Sequence, residues 1–205
     1  MAGPGKAMTK DMGHEDAKTS RKPRADSLRN REKLLAAATE VFRAGGPEAS
    51  LEAVARRAEV GIGTLYRHFP TRDALFEAVY RRDVDQLADL ADALSAAEPP
   101  GEALRHWMHR AVDVVATKKG MLATLSVATE GRQELYAYTS GRMHDAARGL
   151  LERATTAGAV RADVTPEDLL HAFVGMASIR PRPNWRTAVI RVLDIFIDGL
   201  APDRG

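Results

Sequence analysis

Residues that break helices are closely spaced near the front of the chain and leave room there for only short elements. A Gly-Gly-Pro run at 45–47 ends one apolar periodic segment, Gly61 interrupts the next, and Pro70 stops the one after it. Glycine suits the left-handed position after a helix, and proline cannot continue a helix. The segment 50–69 therefore predicts two short helices joined by a tight turn, which is a helix-turn-helix pattern.

The rest of the chain is dominated by helical periodicity. Aromatic residues make up only 5% of a chain that is 44% hydrophobic, so Ala, Leu and Val must build most of the core. Long alternating strand patterns are absent, and Ala and Leu are strong helix formers. We expect an all-α fold with helices near 28–44, 51–60, 63–69, 72–94, 102–117, 120–128, 131–157, 166–177 and 185–200, with N-caps at Ser50, Thr71 and Thr165.

Charge is unevenly distributed along the chain. Residues 1–82 carry 16 Lys/Arg and 11 Asp/Glu, whereas residues 83–205 carry 14 and 17. A basic front half suits a polyanionic partner. We predict a disordered basic tail over 1–26, a helix-turn-helix domain over 27–82 and a helical domain over 83–205. The tail either solubilises the chain or lies along DNA as a basic arm.

The second helix of the helix-turn-helix carries side chains that suit a DNA groove. Leu65 and Phe69 are four residues apart and should anchor this helix to the helix expected near 28–44, which leaves its polar residues facing outward. Threonine, arginine, tyrosine and histidine contact phosphate oxygens or base edges. The candidate DNA-binding residues are Ser50, Arg56, Gly63, Thr64, Tyr66, Arg67, His68 and Arg72. The alternative for the whole segment is a helical hairpin without a DNA role. Separate alternatives apply to single residues: Tyr66 could lie in the core, His68 could cap the helix end, and Arg56 could lie on a solvated face.

The run from Gly63 to Pro70, with Leu75 and Val79 after it, strongly resembles the TetR (tetracycline-repressor-like) family of regulators. The resemblance covers about residues 28–82. One departure is Gly46, where the family usually has a bulkier residue. The resemblance implies an all-helical homodimer with an N-terminal DNA-binding domain and a rear domain for ligand binding and dimerisation. It also places Thr64, Tyr66, Arg67, His68 and Arg72 at DNA-contacting positions, and Leu51, Val54, Leu65 and Phe69 in the core.

The rear domain holds candidates for an effector pocket and for a dimer interface. Methionine and aromatic residues suit adaptable apolar pockets. The pocket candidates, each of which could equally be ordinary core, are Trp107, Met108, Met121, Leu122, Tyr136, Met143, Phe173 and Met176. The segment from Val164 to Leu200 resembles the two-helix dimer element of the family. The interface candidates are Leu170, Phe173, Trp185, Val189, Val192 and Phe196.

Several other functions are disfavoured by the sequence. The chain has no cysteine, which excludes disulfides and zinc–thiolate sites. His106 and His109 share a helix face but have no evident third ligand, so neither a metal nor a cofactor is expected. No secretory signal, apolar membrane span, nucleophile elbow, phosphate loop or paired-acid motif is visible, so we expect a cytoplasmic protein that is not an enzyme.

The resulting hypothesis is a repressor that binds a double-stranded palindromic operator as a homodimer and is released by a small apolar or amphipathic effector. The rival classes are an enzyme in the rear domain and a structural protein that packages DNA without sequence preference.

Overall fold

The all-α fold expected from the sequence is confirmed. The structure, a computed structural model, describes residues 21–45, 50–122, 129–178 and 183–202, and these contain eight helices and no strand. The helices are α1 (Arg21–Gly45), α2 (Leu51–Arg57), α3 (Ile62–His68), α4 (Arg72–Ala97), α5 (Pro100–Leu122), α6 (Thr129–Thr156), α7 (Pro166–Ala177) and α8 (Trp185–Asp198).

The chain has two hydrophobic cores, and one helix, α4, contributes residues to both of them. The front core lies between α1, α2, α3 and the start of α4, and the rear core lies between the end of α4 and α5 to α8. Leu75 and Val79 of α4 belong to the front core, whereas Leu87 and Leu94 belong to the rear core. At about 1.5 Å per residue, the 26 residues of α4 span roughly 39 Å. A displacement of α4 therefore acts on both cores.

A polar junction lies where the two cores meet. Asp83 of α4 is only 7% exposed, and Thr39 of α1 donates a hydrogen bond to its Oδ1 at 3.4 Å. Burial raises the pKa of Asp83, although the charges of Arg43 and Arg82 and the hydrogen bond from Thr39 act in the opposite direction. The ionised carboxylate is therefore held at a cost in free energy.

The three predicted N-caps are confirmed. Ser50 Oγ accepts from the Ala53 N–H at 3.0 Å, and Thr71 Oγ1 accepts from the Ala74 N–H at 3.0 Å. Thr165 forms a capping box with Asp168, in which each side chain accepts from the backbone N–H of the other residue. These caps fix the start of α2, α4 and α7.

Two predicted element boundaries are wrong. Helix α1 begins at Arg21 and not near Leu28, so residues 21–26 of the predicted tail are helical, while residues 1–20 lie outside the described part of the chain. Pro23 is tolerated there because the first turn of a helix has no intrahelical use for its N–H groups. The predicted separation of 102–117 from 120–128 is also absent, since α5 continues to Leu122 and residues 123–128 are not described. One glycine, Gly120, costs a helix only about 1 kcal/mol.

No helix within the described residues is both long enough and apolar enough to span a membrane.

Candidate nucleic-acid interface

Helices α2 and α3 form a compact helix-turn-helix whose turn is built by backbone hydrogen bonds. The Val60 N–H donates to the Ala55 carbonyl at 3.0 Å, which folds the turn back on α2, and the Thr64 N–H donates to the Gly61 carbonyl at 2.9 Å. The left-handed residue of the turn is Glu59, with φ of 57°, whereas Gly61 has φ of −67°. Gly61 does lie in the turn, as the sequence predicts, where it is the N-cap of α3.

The inner faces of α2 and α3 are anchored in the front core as predicted. Val54 and Leu65 are fully buried, and Leu51 and Phe69 are 9% and 3% exposed. Arg31 of α1 covers Phe69, with its guanidinium carbon 5.3 Å from the ring centroid. This packing fixes the orientation of α3 and determines which of its residues face outward.

The outer face of α3 is formed by Ile62, Gly63, Tyr66 and Arg67, all of which are exposed. Tyr66 is 46% exposed, so the alternative that placed it in the core does not hold. Thr64 and His68 are half-buried and lie toward the flanks of this face. Ile62 was not among the predicted site residues, because an apolar residue at a helix start offers no signal of its own in the sequence.

Arginines lie on α3 itself and on the two helices that adjoin it in the sequence. Within the described part of the chain, neither Arg56 of α2 nor Arg67 of α3 forms an ion pair or a side-chain hydrogen bond, and both are exposed. Arg57 differs, since its Nε donates to Glu40 Oε2 at 2.7 Å. Arg72 packs over the Phe76 ring with its guanidinium carbon 5.1 Å from the centroid. Ser50 is half-buried and serves as the α2 cap. The guanidinium groups of Arg56 and Arg67, which have no such partner within the described residues, are suited to phosphate oxygens and base edges.

The predicted pocket residues of the rear domain do not all lie together. Trp107, Met108 and Phe173 are buried in the rear core, and Met143 and Met176 are half-buried against it. The Trp107 indole N–H donates to the Leu87 carbonyl at 2.8 Å, so its polar atom is satisfied within the chain. Tyr136 is 69% exposed and lies apart from this core. The side chains of Met121 and Leu122 lie outside the described residues.

The predicted interface residues also divide into two groups. Phe173, Trp185 and Val189 are buried in the chain's own rear core, whereas Val192 is 37% exposed and Leu170 and Phe196 are half-buried. Two further apolar residues on the same pair of helices are more exposed, Val174 at 59% and Ile195 at 68%. Sequence periodicity did not single out Ile195, and it does not distinguish the apolar residues of α7 and α8 that the chain itself covers from those that it leaves exposed.

No group of three or more His, Asp or Glu side chains suited to holding a metal ion occurs among the described residues.

A short helix-turn-helix with a buried inner face and a basic, exposed outer face defines a DNA-binding protein of the helix-turn-helix class. Residues 34–79 match the bacterial regulatory proteins of the tetR family, and residues 99–202 match the SbtR-like transcriptional regulator C-terminal domain.

Solved structures agree with this classification. A TetR transcriptional regulator from Streptomyces coelicolor is 42% identical, with a TM-score of 0.75, over 84% of this chain and 98% of that one. A TetR regulatory protein from Mycobacterium vanbaalenii is 34% identical, with a TM-score of 0.68, over 87% and 99% of the two chains. The TetR-like regulator LfrR from Mycobacterium smegmatis, in complex with proflavine, is 22% identical with a TM-score of 0.55 over 82% and 95%, and shows the shared fold. The chain belongs to the TetR family of transcriptional regulators.

Proposed function

We propose that this regulator is a repressor that binds a palindromic operator as a homodimer and leaves it when a small apolar or amphipathic molecule binds the rear domain. The observation that carries the proposal is the outer face of α3, where Tyr66 and Arg67 are exposed while the neighbouring Leu65 is buried. An α-helix held rigidly in this way fits the major groove, and its exposed residues reach base edges.

The exposed apolar residues of α7 and α8 support a dimer. Val174, Val192 and Ile195 lie on these two helices, which pack against each other. The polar side of α8 is already occupied, since Arg105 of α5 contacts Asp194 at 2.9 Å and Asp198 at 2.5 Å. The apolar side is thus the one available to a second copy, and a twofold axis would join the two helix pairs into a four-helix bundle.

The interior of the rear domain supports an apolar or amphipathic effector. The only polar side chains buried in the described part of the chain are Asp83, Thr117 and Thr139, and Thr139 donates to its own helix at the Leu135 carbonyl. A molecule bound among Met108, Met143, Phe173 and Met176 would meet mainly apolar surface. The proflavine complex of LfrR supports the idea that this fold accommodates a small aromatic molecule.

Helix α4 supplies the route by which an effector would change DNA binding. The first turns of α4 lie in the front core and its later turns lie in the rear core. Because the front core orients α3, a shift of α4 caused in the rear core would also move α3. Two α3 helices that enter successive major grooves must lie about 34–36 Å apart. An effector that stabilises a different spacing must, by linkage, bind the operator-bound dimer more weakly.

The DNA part of this proposal is tested by selecting bound duplexes from random sequence and footprinting the result. A dimeric regulator should yield one inverted repeat, with half-sites separated by one helical turn. Protection without sequence preference would instead support a DNA-packaging protein. Transcription from the selected site, with and without the protein, then distinguishes a repressor from an activator.

The dimer is tested by Ile195→Asp, which places a charge in the centre of the exposed apolar surface. We expect a monomer by sedimentation at concentrations where the wild type is a dimer. Leu28→Asp is the matched control, because Leu28 is 66% exposed on α1 in the front domain. A dimer that survives Ile195→Asp, or that dissociates equally with Leu28→Asp, would contradict the interface.

The effector is sought by screening small apolar and amphipathic compounds, with proflavine as the first probe, for release of the selected duplex. Compounds that bind the protein and leave operator affinity unchanged would argue against release by an effector. Met176→Ala should weaken compound binding while leaving DNA binding intact, because Met176 is half-buried against the rear core.

A further inference from the structure

Two glycines flank the exposed Ile62, and for one of them, Gly63, the fold gives no internal reason. A Cβ atom built on Gly61 or Gly63 meets no atom of the described chain within 4 Å. Neither residue has a left-handed φ, since Gly61 has φ of −67° and Gly63 lies within α3. Gly61 is the N-cap of α3, where glycine is preferred to alanine, so its identity has a local reason. At Gly63, inside the helix, alanine would fit and would favour the helix by about 1 kcal/mol. A reason for glycine at position 63 must therefore come from outside the chain.

Ile62 is placed beside the residues assigned to DNA. It is 38% exposed and lies four residues before Tyr66, so the two side chains share one side of α3. Gly63 precedes Tyr66 by three residues and Arg67 by four, and therefore lies at the centre of the exposed face. The face thus consists of an apolar side chain, a phenol and a guanidinium around a position that carries no side chain.

We propose that Ile62 reads thymine through contact with its 5-methyl group in the major groove, and that Gly63 provides the clearance for this approach. The inference rests on the proposed role of α3 in operator recognition. The thymine methyl is the one apolar group that the bases present in the major groove. The side chain of isoleucine has no hydrogen-bonding group. Placed against the cytosine amino group, it would displace the water that accepts a hydrogen bond from that group and would offer no acceptor in its place. The same contact thus favours thymine and disfavours cytosine.

Deletion of single methyl groups from the operator tests this contact directly. In the duplex obtained by selection, each thymine is replaced by deoxyuridine at symmetry-related positions of both half-sites, and dissociation constants are measured by fluorescence anisotropy for the wild type and Ile62→Ala. At one position, loss of the methyl pair should weaken wild-type binding by about three- to tenfold. The same replacement should change the affinity of Ile62→Ala by less than about twofold, because the partner of the methyl group is already absent.

Three results would overturn the thymine contact. These are wild-type affinities that are equal for every uracil duplex, a loss of equal size in Ile62→Ala, and a selected half-site without thymine. In each of these results the protein still binds a specific operator, so only the thymine contact fails. If the proposed function itself were wrong, no specific duplex would be selected at all.

The clearance is tested with Gly63→Ala. This variant should be at least as stable as the wild type in urea unfolding and yet bind the operator about tenfold more weakly or worse, because its methyl group projects from the DNA-facing surface. Gly149→Ala is the matched control, since Gly149 is an exposed residue inside α6 with equally open space around it. It should gain stability with unchanged operator affinity. Wild-type affinity in Gly63→Ala would overturn the clearance role.

Discussion

Arg43, near the end of α1, donates to the hydroxyl oxygen of Thr117 in α5, at 3.4 Å from Nε and 3.3 Å from Nη2. Thr117 is 1% exposed and donates its own proton to the Asp113 carbonyl at 3.2 Å. The pair therefore links the DNA-binding domain to the rear domain independently of the continuous helix α4. The buried hydroxyl group of Thr117 thus connects α5 directly to α1.

Thr117→Val should lower the free energy of unfolding by about 1 kcal/mol, because it removes the acceptor while conserving shape. The loss is moderate since Arg43 is exposed and can be hydrated instead. Urea unfolding measures the change. Thr156→Val is the control, since the Thr156 hydroxyl is exposed and donates only within α6, to the Glu152 carbonyl at 2.8 Å. Equal losses in the two variants would contradict a specific role for the link.

Asp83→Asn should stabilise the protein near neutral pH, with a gain that shrinks as the pH falls. Burial raises the pKa of Asp83 above the ordinary 3.8, so the folded state binds the proton more tightly than the unfolded state. The wild type consequently loses stability as the pH rises from about 4 through the folded pKa, and the variant does not undergo this loss. Urea unfolding at several pH values between 4 and 7 measures the difference.

Asp163→Asn provides a control of opposite sign. The hydrogen bonds from Arg161, at 2.6 Å to each carboxylate oxygen, lower the pKa of Asp163. Its stabilising contribution is present above the unfolded pKa and is lost as the pH falls, so this variant should be the less stable one at neutral pH. A stability difference that does not vary with pH in Asp83→Asn would contradict the effect of burial.

Substitutions of Glu59 should reveal the strain in the turn between α2 and α3. A non-glycine residue with φ of 57° is disfavoured, and a β-branched side chain is disfavoured most. Glu59→Gly should raise the unfolding free energy by up to about 1 kcal/mol, whereas Glu59→Val should lower it by about 1 kcal/mol or more. Thermal unfolding followed by circular dichroism compares the two. Equal melting temperatures would show that the turn carries no such strain.

Much of the fold was predictable because helix breakers and N-caps act locally. Ser50, Thr71 and Thr165 identify helix starts from a few neighbouring residues, and the run from Gly63 to Pro70 identifies the helix-turn-helix. The residues that face outward depend instead on tertiary packing, which decides that Val189 is covered within the chain while Ile195 is left exposed. The junction between Asp83 and Thr39 joins residues 44 positions apart and has no local sequence signature.

The basic cluster at Arg21, Lys22 and Arg24 offers a further prediction. If these residues contact phosphates, replacing all three with glutamine should reduce the slope of log affinity against log salt, by about 0.9 for each phosphate that the variant no longer neutralises. The triple replacement of Lys6, Lys10 and Lys18 with glutamine removes the same charge from positions before the cluster and serves as the control. An unchanged slope in the first variant would show that the cluster does not contact DNA.

Recognition of the operator by the outer face of α3 is best tested by the affinity of Arg67→Ala for the selected duplex. Arg67 is exposed and has no ion-pair partner among the described residues, so the substitution should leave the sedimentation behaviour and the melting temperature of the protein unchanged. We expect at least a tenfold loss of operator affinity, in line with about 1–3 kcal/mol per base contact. Arg153→Ala, at an exposed position in the last turn of α6, should bind like the wild type. Wild-type affinity in Arg67→Ala would mean that this face of α3 does not read the operator.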